Sequence, residues 1–177
     1  MKQRKARKTR LKINKWRAAV FGCAVILAAL VVFSVYFIQT KEKTYKTYFI
    51  INDQIVAVEN ALNKGEDPLK KGLIRLINGP SIMERTQGIS TYLPQKTRIN
   101  GIKNRGEVLA IDFSRELENI SGGSDRIIKM IEQIVYTATE TPGINKVWIF
   151  INGRKNVVLG GEGYELNGPI GREDISR

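Results

Sequence analysis

Residues Ala18 to Ile38 make a run of 21 residues without a single charge. No other feature restricts the chain so tightly. Wound as an α-helix at about 1.5 Å per residue, such a run reaches about 31 Å, close to the hydrocarbon thickness of a bilayer. It is expected to be a transmembrane helix. Trp16 and Tyr36 lie near its two ends, where amphipathic rings favour the headgroup level. Residues 1–17 hold nine of the 29 Lys and Arg and no acid. The positive-inside rule therefore keeps this basic tail in the cytoplasm and places everything after Ile38 across the membrane. A cleaved signal peptide fits less well. Secretory apolar regions run about 7–15 residues and end in a small-x-small site, whereas this run continues into Tyr36-Phe37-Ile38-Gln39-Thr40-Lys41.

The formal charge of +12 is concentrated in that tail, because the rest of the chain has 20 basic and 17 acidic residues. A mixed surface of that kind lacks the clustered footprint that nucleic-acid binding requires, so no nucleic-acid partner is expected. The only cysteine, Cys23, lies inside the apolar run. It reads as a small apolar residue rather than a lipid attachment site, since most of the run follows it. The remaining chain must then fold on its core alone, without disulfides.

Residues 39–47 are polar and read as a linker. Beyond them, Tyr48–Ile51 and Ile55–Val58 read as strands around the turn Asn52-Asp53. A first helix has clear punctuation: Asp67 as cap, Pro68 at the first helical position, and Asn78-Gly79-Pro80 as stop. Its Leu69, Leu73, Leu76 and Ile77 fall on one stripe. Residues 97–103 and 107–113 suggest a hairpin around Asn104-Arg105-Gly106, with Leu109, Ile111 and Phe113 alternating against Val108, Ala110 and Asp112. A second helix is expected from Asp125 to Glu140 with Ser124 as cap and Ile127, Ile128, Ile131, Ile134, Val135 and Ala138 inward. The strand Lys146–Ile151 follows, then the turn Asn152-Gly153 and a last strand over Asn156–Leu159. From Gly160 onward the chain is expected to be loop. This order predicts an α/β (α+β) fold, a two-layer sandwich of one mixed sheet with two helices, preceded by the transmembrane helix.

Five segments, in this order, resemble successive motifs of the GerMN domain family. They are Leu73–Pro80, Leu93–Thr97, Val108–Ser114, Gln133–Glu140 and Lys146–Gly153. The resemblance runs over about residues 46–165, and the ordered set carries it rather than any one motif. It implies a bacterial envelope protein without enzymatic activity, of a kind linked to sporulation, spore germination or cell-wall processes. Its fold would be similar to that of ring-building modules in secretion-like assemblies. On this basis residues 1–17 are expected to be a cytoplasmic tail, 18–38 the transmembrane helix, 39–47 the linker, 48–165 the extracytoplasmic GerMN-like domain and 166–177 a C-terminal tail. The location expected is the bacterial cytoplasmic membrane, in a single pass.

Chemistry is sparse. There is no histidine, which removes Ser-His-Asp and Cys-His catalysis together with His-ligated metals. Neither a cofactor nor a metal is expected. Gly160-Gly161-Glu162-Gly163 lacks the Gly-Lys-Ser/Thr ending of a phosphate loop and reads as a turn. Asp112, Phe113 and Ser114 close a strand, where Asp112 with Glu116 or Glu140 would be the candidate acid/base pair of a glycan-cleaving enzyme. The competing role is a side chain that bonds the backbone of the next turn. Tyr136, Thr137 and Glu140 read as helix surface with one interior tyrosine, or else as a binding face. Trp148 and Phe150 are expected in the core. If one sheet face stays open, they form an aromatic platform for a partner or a sugar instead. The expected function is a non-catalytic binding or assembly module. Its partners would be envelope proteins and copies of itself, with the membrane reached through Ala18–Ile38 and peptidoglycan as a further ligand. The candidate face is Lys129, Glu132 and Gln133 on the second helix. A cell-wall enzyme, or a regulator of a separate amidase, is the alternative.

Overall fold

The structure, a computed structural model, describes residues 15–39, 43–161 and 163–175. The basic tail over 1–14, the middle of the expected linker at 40–42, and Glu162 lie outside the described residues. The chain divides into two units, Met1–Glu42 and Lys43–Arg177, and each is taken by itself.

In the first unit the described element is a helix, α1 (Lys15–Gln39). Among the described residues, no helix is long and apolar enough to cross a membrane. This corrects the transmembrane helix expected over 18–38, and with it the single-pass location and the topology built on it. The side chain of Tyr36, expected at a membrane interface, is outside the described residues.

The second unit begins with an antiparallel ribbon, β1 (Thr44–Ile51) and β2 (Gln54–Ala61). Asn52 and Asp53 join the strands at φ 48° and 63°, the left-handed pair that a two-residue hairpin turn demands. The strand starts at Thr44, so the polar residues expected as linker already pair in it. Of these polar residues Thr44 is exposed and Tyr45 and Lys46 half-buried, while Thr47 is buried together with Phe49 and Ile50 further along the strand. Next comes α2 (Pro68–Asn78), whose cap Asp67 accepts from the Leu69 and Lys70 amides. Asn78-Gly79-Pro80 ends it, with Gly79 at φ 73°. A short helix α3 (Ile82–Thr86) follows, closed by a capping box between Ser81 and Glu84.

The hairpin β3 (Ile99–Arg105) and β4 (Val108–Phe113) leads through a 3-10 turn, Arg115–Asn119, into α4 (Ser124–Ala138). Gly123, not Ser124, holds the cap position of α4, and Ser124 is its first helical residue. Then come β5 (Lys146–Ile151), β6 (Val157–Leu159), β7 (Tyr164–Leu166), β8 (Ile170–Gly171) and α5 (Arg172–Ile175). The main sheet has the order β3-β4-β5-β8. Its β4 and β5 run parallel and its outer pairs antiparallel. The two-layer α+β sandwich with a mixed sheet is therefore present, although β1-β2 and β6-β7 form separate ribbons rather than joining the main sheet. The tail from Gly160, expected as loop, supplies two strands and a helix.

Burial explains the layers. Leu109, Ile111 and Phe113 of β4 and Val147, Ile149 and Ile151 of β5 all face the helices. They meet Leu73 and Leu76 from α2 and Ile127, Met130, Ile131, Ile134 and Val135 from α4. Phe49 brings the first ribbon into the same cluster. Each apolar side chain withdrawn from water contributes on the order of 1.5–3 kcal/mol before conformational entropy is charged against it.

Candidate functional site

The residues singled out from the sequence separate into four places. On α4, Lys129, Glu132 and Gln133 do not make an open face. Gln133 is 0% exposed and Glu132 8%. Lys129 reaches Glu132 at 2.9 Å, and that bond, against the cost of burial, raises the lysine's pKa. The Gln133 amide accepts from the Tyr92 N–H at 2.9 Å and donates to the Tyr48 carbonyl at 3.1 Å and the Thr91 hydroxyl at 3.2 Å. The polar type that suggested solvent is here used to tie a loop and a strand to a helix. Beside it, a cleft of about 450 Å³ lies between the end of α2 and the loop 88–95.

The second place is the end of β4. Asp112 Oδ1 accepts from the Gly153 N–H at 2.9 Å. Ser114 Oγ accepts from the Arg98 N–H at 2.9 Å, while the Ser114 N–H donates to the Arg98 carbonyl at 2.8 Å. Phe113 is buried in the core. The Ser114 hydroxyl also holds Glu116 below the usual carboxylate range, helped by a backbone N–H and by Arg98. Substituting Asp112→Asn or Ser114→Ala should each cost about 0.5–2 kcal/mol, the value of one such bond. Urea unfolding measures this, and an unchanged midpoint would show that these bonds carry no stability.

The third place joins β1, the end of α4 and the C-terminal segment. Tyr48 Oη donates to Glu140 at 2.6 Å, and Arg172 donates to Glu140 at 2.8 Å and to the Tyr136 carbonyl at 3.0 Å. The Arg172 guanidinium stands 4.8 Å from the Tyr136 ring and 5.6 Å from the Tyr48 ring. Thr137, buried, accepts from the Tyr48 N–H at 3.0 Å. Burial works to raise the Glu140 pKa, but the bonds from Arg172 and Tyr48 and the charges of Lys46 and Arg172 outweigh it and hold the carboxyl low. Burial, then the bond and charge of Glu140, push Tyr48 up to about 12.

Two pH effects follow with opposite signs. A depressed carboxyl contributes stability that is present above its unfolded value and lost as pH falls through the folded one. Glu140 thus helps destabilise the fold only below about pH 4.5, its ordinary value. Tyr48, raised, contributes stability that is full below pH 10.0 and lost as pH rises through about 12. In a tyrosinate absorbance titration, Glu140→Gln should bring one late-titrating tyrosine down toward 10.0, the ordinary value. No change in that titration would mean Glu140 does not govern Tyr48.

The carboxyls of Glu116 and Glu140 are shifted down, the opposite of the raised carboxyl that a general acid in glycan cleavage needs. Among the described residues, no group of three or more His, Cys, Asp or Glu could hold a metal ion.

One face of the main sheet stays uncovered by the helices. On it β4 presents Val108, Ala110 and Asp112, and β5 presents Lys146, Trp148 and Phe150. Trp148 and Phe150 are half-buried, not in the core as expected, because the helices occupy only the other face. Their rings lie 5.0 Å apart at 47°, and Lys155 Nζ stands 5.9 Å from the Trp148 ring. Register places Lys103 opposite Ala110, Gly101 opposite Asp112 and Arg105 opposite Val108. Gly101, Lys103, Arg105, Ala110, Asp112 and Phe150 border a groove of about 250 Å³. Neither Lys103 nor Arg105 stands out in the sequence. The period of two on β4, carried across the hairpin register, was the one signal able to find them.

This arrangement of helices and strands has known relatives. A family model described as "Germane: Sporulation and spore germination" matches residues 34–157. The spore germination protein GerM of Bacillus subtilis (strain 168) is 30% identical over 125 residues, which cover 70% of this chain and 33% of that protein. The chain thus spans about a third of the length of that relative. The tandem GerMN domains of the same organism's sporulation protein GerM superpose with a TM-score of 0.62 at 23% identity, over 76% of this chain and 48% of that one. Its first GerMN domain alone gives 0.62 at 24%, over 75% and 99%. A putative lipoprotein from Clostridium perfringens gives 0.54 at 22%, over 75% and 89%, a likeness of fold. With most of its length matched by one family model, this chain belongs to the Germane family of sporulation and spore germination.

Proposed function

We propose that this chain is a non-catalytic binding and assembly module that works in sporulation or germination, through contacts with envelope proteins and with copies of itself. The observation that carries this is the family match over residues 34–157, which takes in both main helices and the strands β1 to β5. Two features support it. The outer edge of β3 is exposed along nearly its whole length, and unpaired edge groups are a ready template for a second chain. The carboxylates that an enzyme would use are spent on backbone amides and arginines.

The test is crosslinking of the full chain at native expression in its own cells during sporulation and germination. Discrete crosslinked species containing envelope proteins or a second copy are expected. A chain that stays uncrosslinked, or a purified chain that clears cell wall in zymography, overturns the reading.

A further inference from the structure

We propose that the uncovered face of the main sheet is a groove for a carboxylate-bearing glycan. This rests on the binding-module reading and names the ligand class for it.

The groove follows β4. Gly101 and Ala110 make its floor, since glycine has no side chain and alanine only a methyl. One wall is β5, with Phe150 lining the groove and Trp148 beside it, in register with Ala110 and 5.0 Å ring to ring from Phe150. The other is β3, with Lys103 and Arg105. Adjacent strands lie about 4.8 Å apart, so the two walls stand about 10 Å from each other across the β4 row. A sugar ring lying lengthwise along β4 fits between them, and its C–H face meets the electron-rich face of an aromatic ring.

The charge on the walls selects the substituents. The domain's ion pairs are made by other cations, among them Arg75, Lys129 and Arg172. Lys146, on the same face, is neutralised by Glu173 and Asp174 at 3.3 Å each. Lys103 and Arg105, which line the groove, have no carboxylate partner among the described residues. They therefore present positive charge to one side of the groove and favour an anionic ligand. Asp112 separates a glycan from an acidic peptide. One of its oxygens is held by the Gly153 N–H, and the carboxylate borders the groove. An acidic peptide brings like charge against it, whereas glycan hydroxyls donate to it. A glycan with both hydroxyls and carboxylates satisfies the aromatic wall, the cations and Asp112 together.

The experiment uses the full chain with Trp16→Phe, so that Trp148 alone reports by fluorescence. Three probes are titrated: a hyaluronate octasaccharide, neutral chitohexaose and poly-L-glutamate. The hyaluronate probe should give a saturable change and bind about tenfold or more tightly than either of the others. The double variant Lys103→Glu/Arg105→Glu should lose that preference with an unchanged unfolding midpoint, because both side chains are exposed. Phe150→Leu, which keeps an apolar group in place of the ring, should weaken hyaluronate and chitohexaose together. Equal or tighter binding of poly-L-glutamate assigns the face to an acidic protein and overturns the proposal, as does the absence of a saturable signal with hyaluronate. Crosslinking in cells that persists without glycan binding would remove this inference and leave the assembly function standing. Glycan binding without crosslinking would do the reverse.

Discussion

Phe49→Ala is expected to lower stability by about 3–5 kcal/mol, the range for emptying a fully buried aromatic site. Phe49 is wholly buried on β1, where the first ribbon meets α2 and α4. The Arg75 guanidinium lies 5.0 Å from its ring centre, and Arg75 is itself fastened to the Gly79 carbonyl and the Glu84 carboxylate. Emptying the site removes packing from a ribbon that has no other sheet to lean on, and it uncouples the helix end beneath. Guanidinium unfolding should show a lower midpoint with an unchanged slope. Ile102→Ala, on the exposed edge strand, should by contrast change stability by less than about 0.5 kcal/mol. Equal effects at the two sites would mean that the ribbon is not packed as described.

Gln133→Ala should cost about 2–4 kcal/mol, although glutamine is a polar residue on a helix. Its side chain answers the Tyr92 N–H, the Tyr48 carbonyl and the Thr91 hydroxyl from inside the protein. Removing it leaves a buried N–H without an acceptor, and the loss of such a partner costs more than the bond itself contributes. Amide exchange at Tyr92 should quicken at least in proportion to the lost stability. Gln133→Glu tests the donor half separately, since a carboxylate can still accept from Tyr92 but cannot donate to Tyr48. Exchange at Tyr92 that matches the native protein in Gln133→Ala would show that this bond does not hold the loop.

The two helices and the strand β5 were legible in the sequence because their signals are local. Asp67-Pro68 and Asn78-Gly79-Pro80 fix the ends of α2 through backbone chemistry within a few residues. The spacing of Ile127, Ile131 and Ile134 fixes the buried side of α4. The alternation of Leu109, Ile111 and Phe113 likewise told which side of β4 is inward. The family, too, could be reached from motif order alone.

What stayed hidden depends on partners distant in the chain. Glu132 and Gln133 follow a helical pattern that reads as surface, yet the loop carrying Thr91 and Tyr92 closes over Gln133. Only that loop's path decides whether an amide meets water or a backbone N–H. Arg172 belongs to a segment rich in glycine and polar residues, and β8 is two residues long, too short for any periodicity to show. Its pairing with β5 exists because the sheet edge is there to receive it. The apolar run over 18–38 was legible as a helix, whereas the membrane crossing inferred from it was not upheld among the described residues. The sequence by itself determined the helices, the strand faces and the family, because caps, turns and periodicity act over a few residues. The tertiary structure decided which polar side chains are buried and which sheet face stays open, because those depend on register and coverage set across the whole domain.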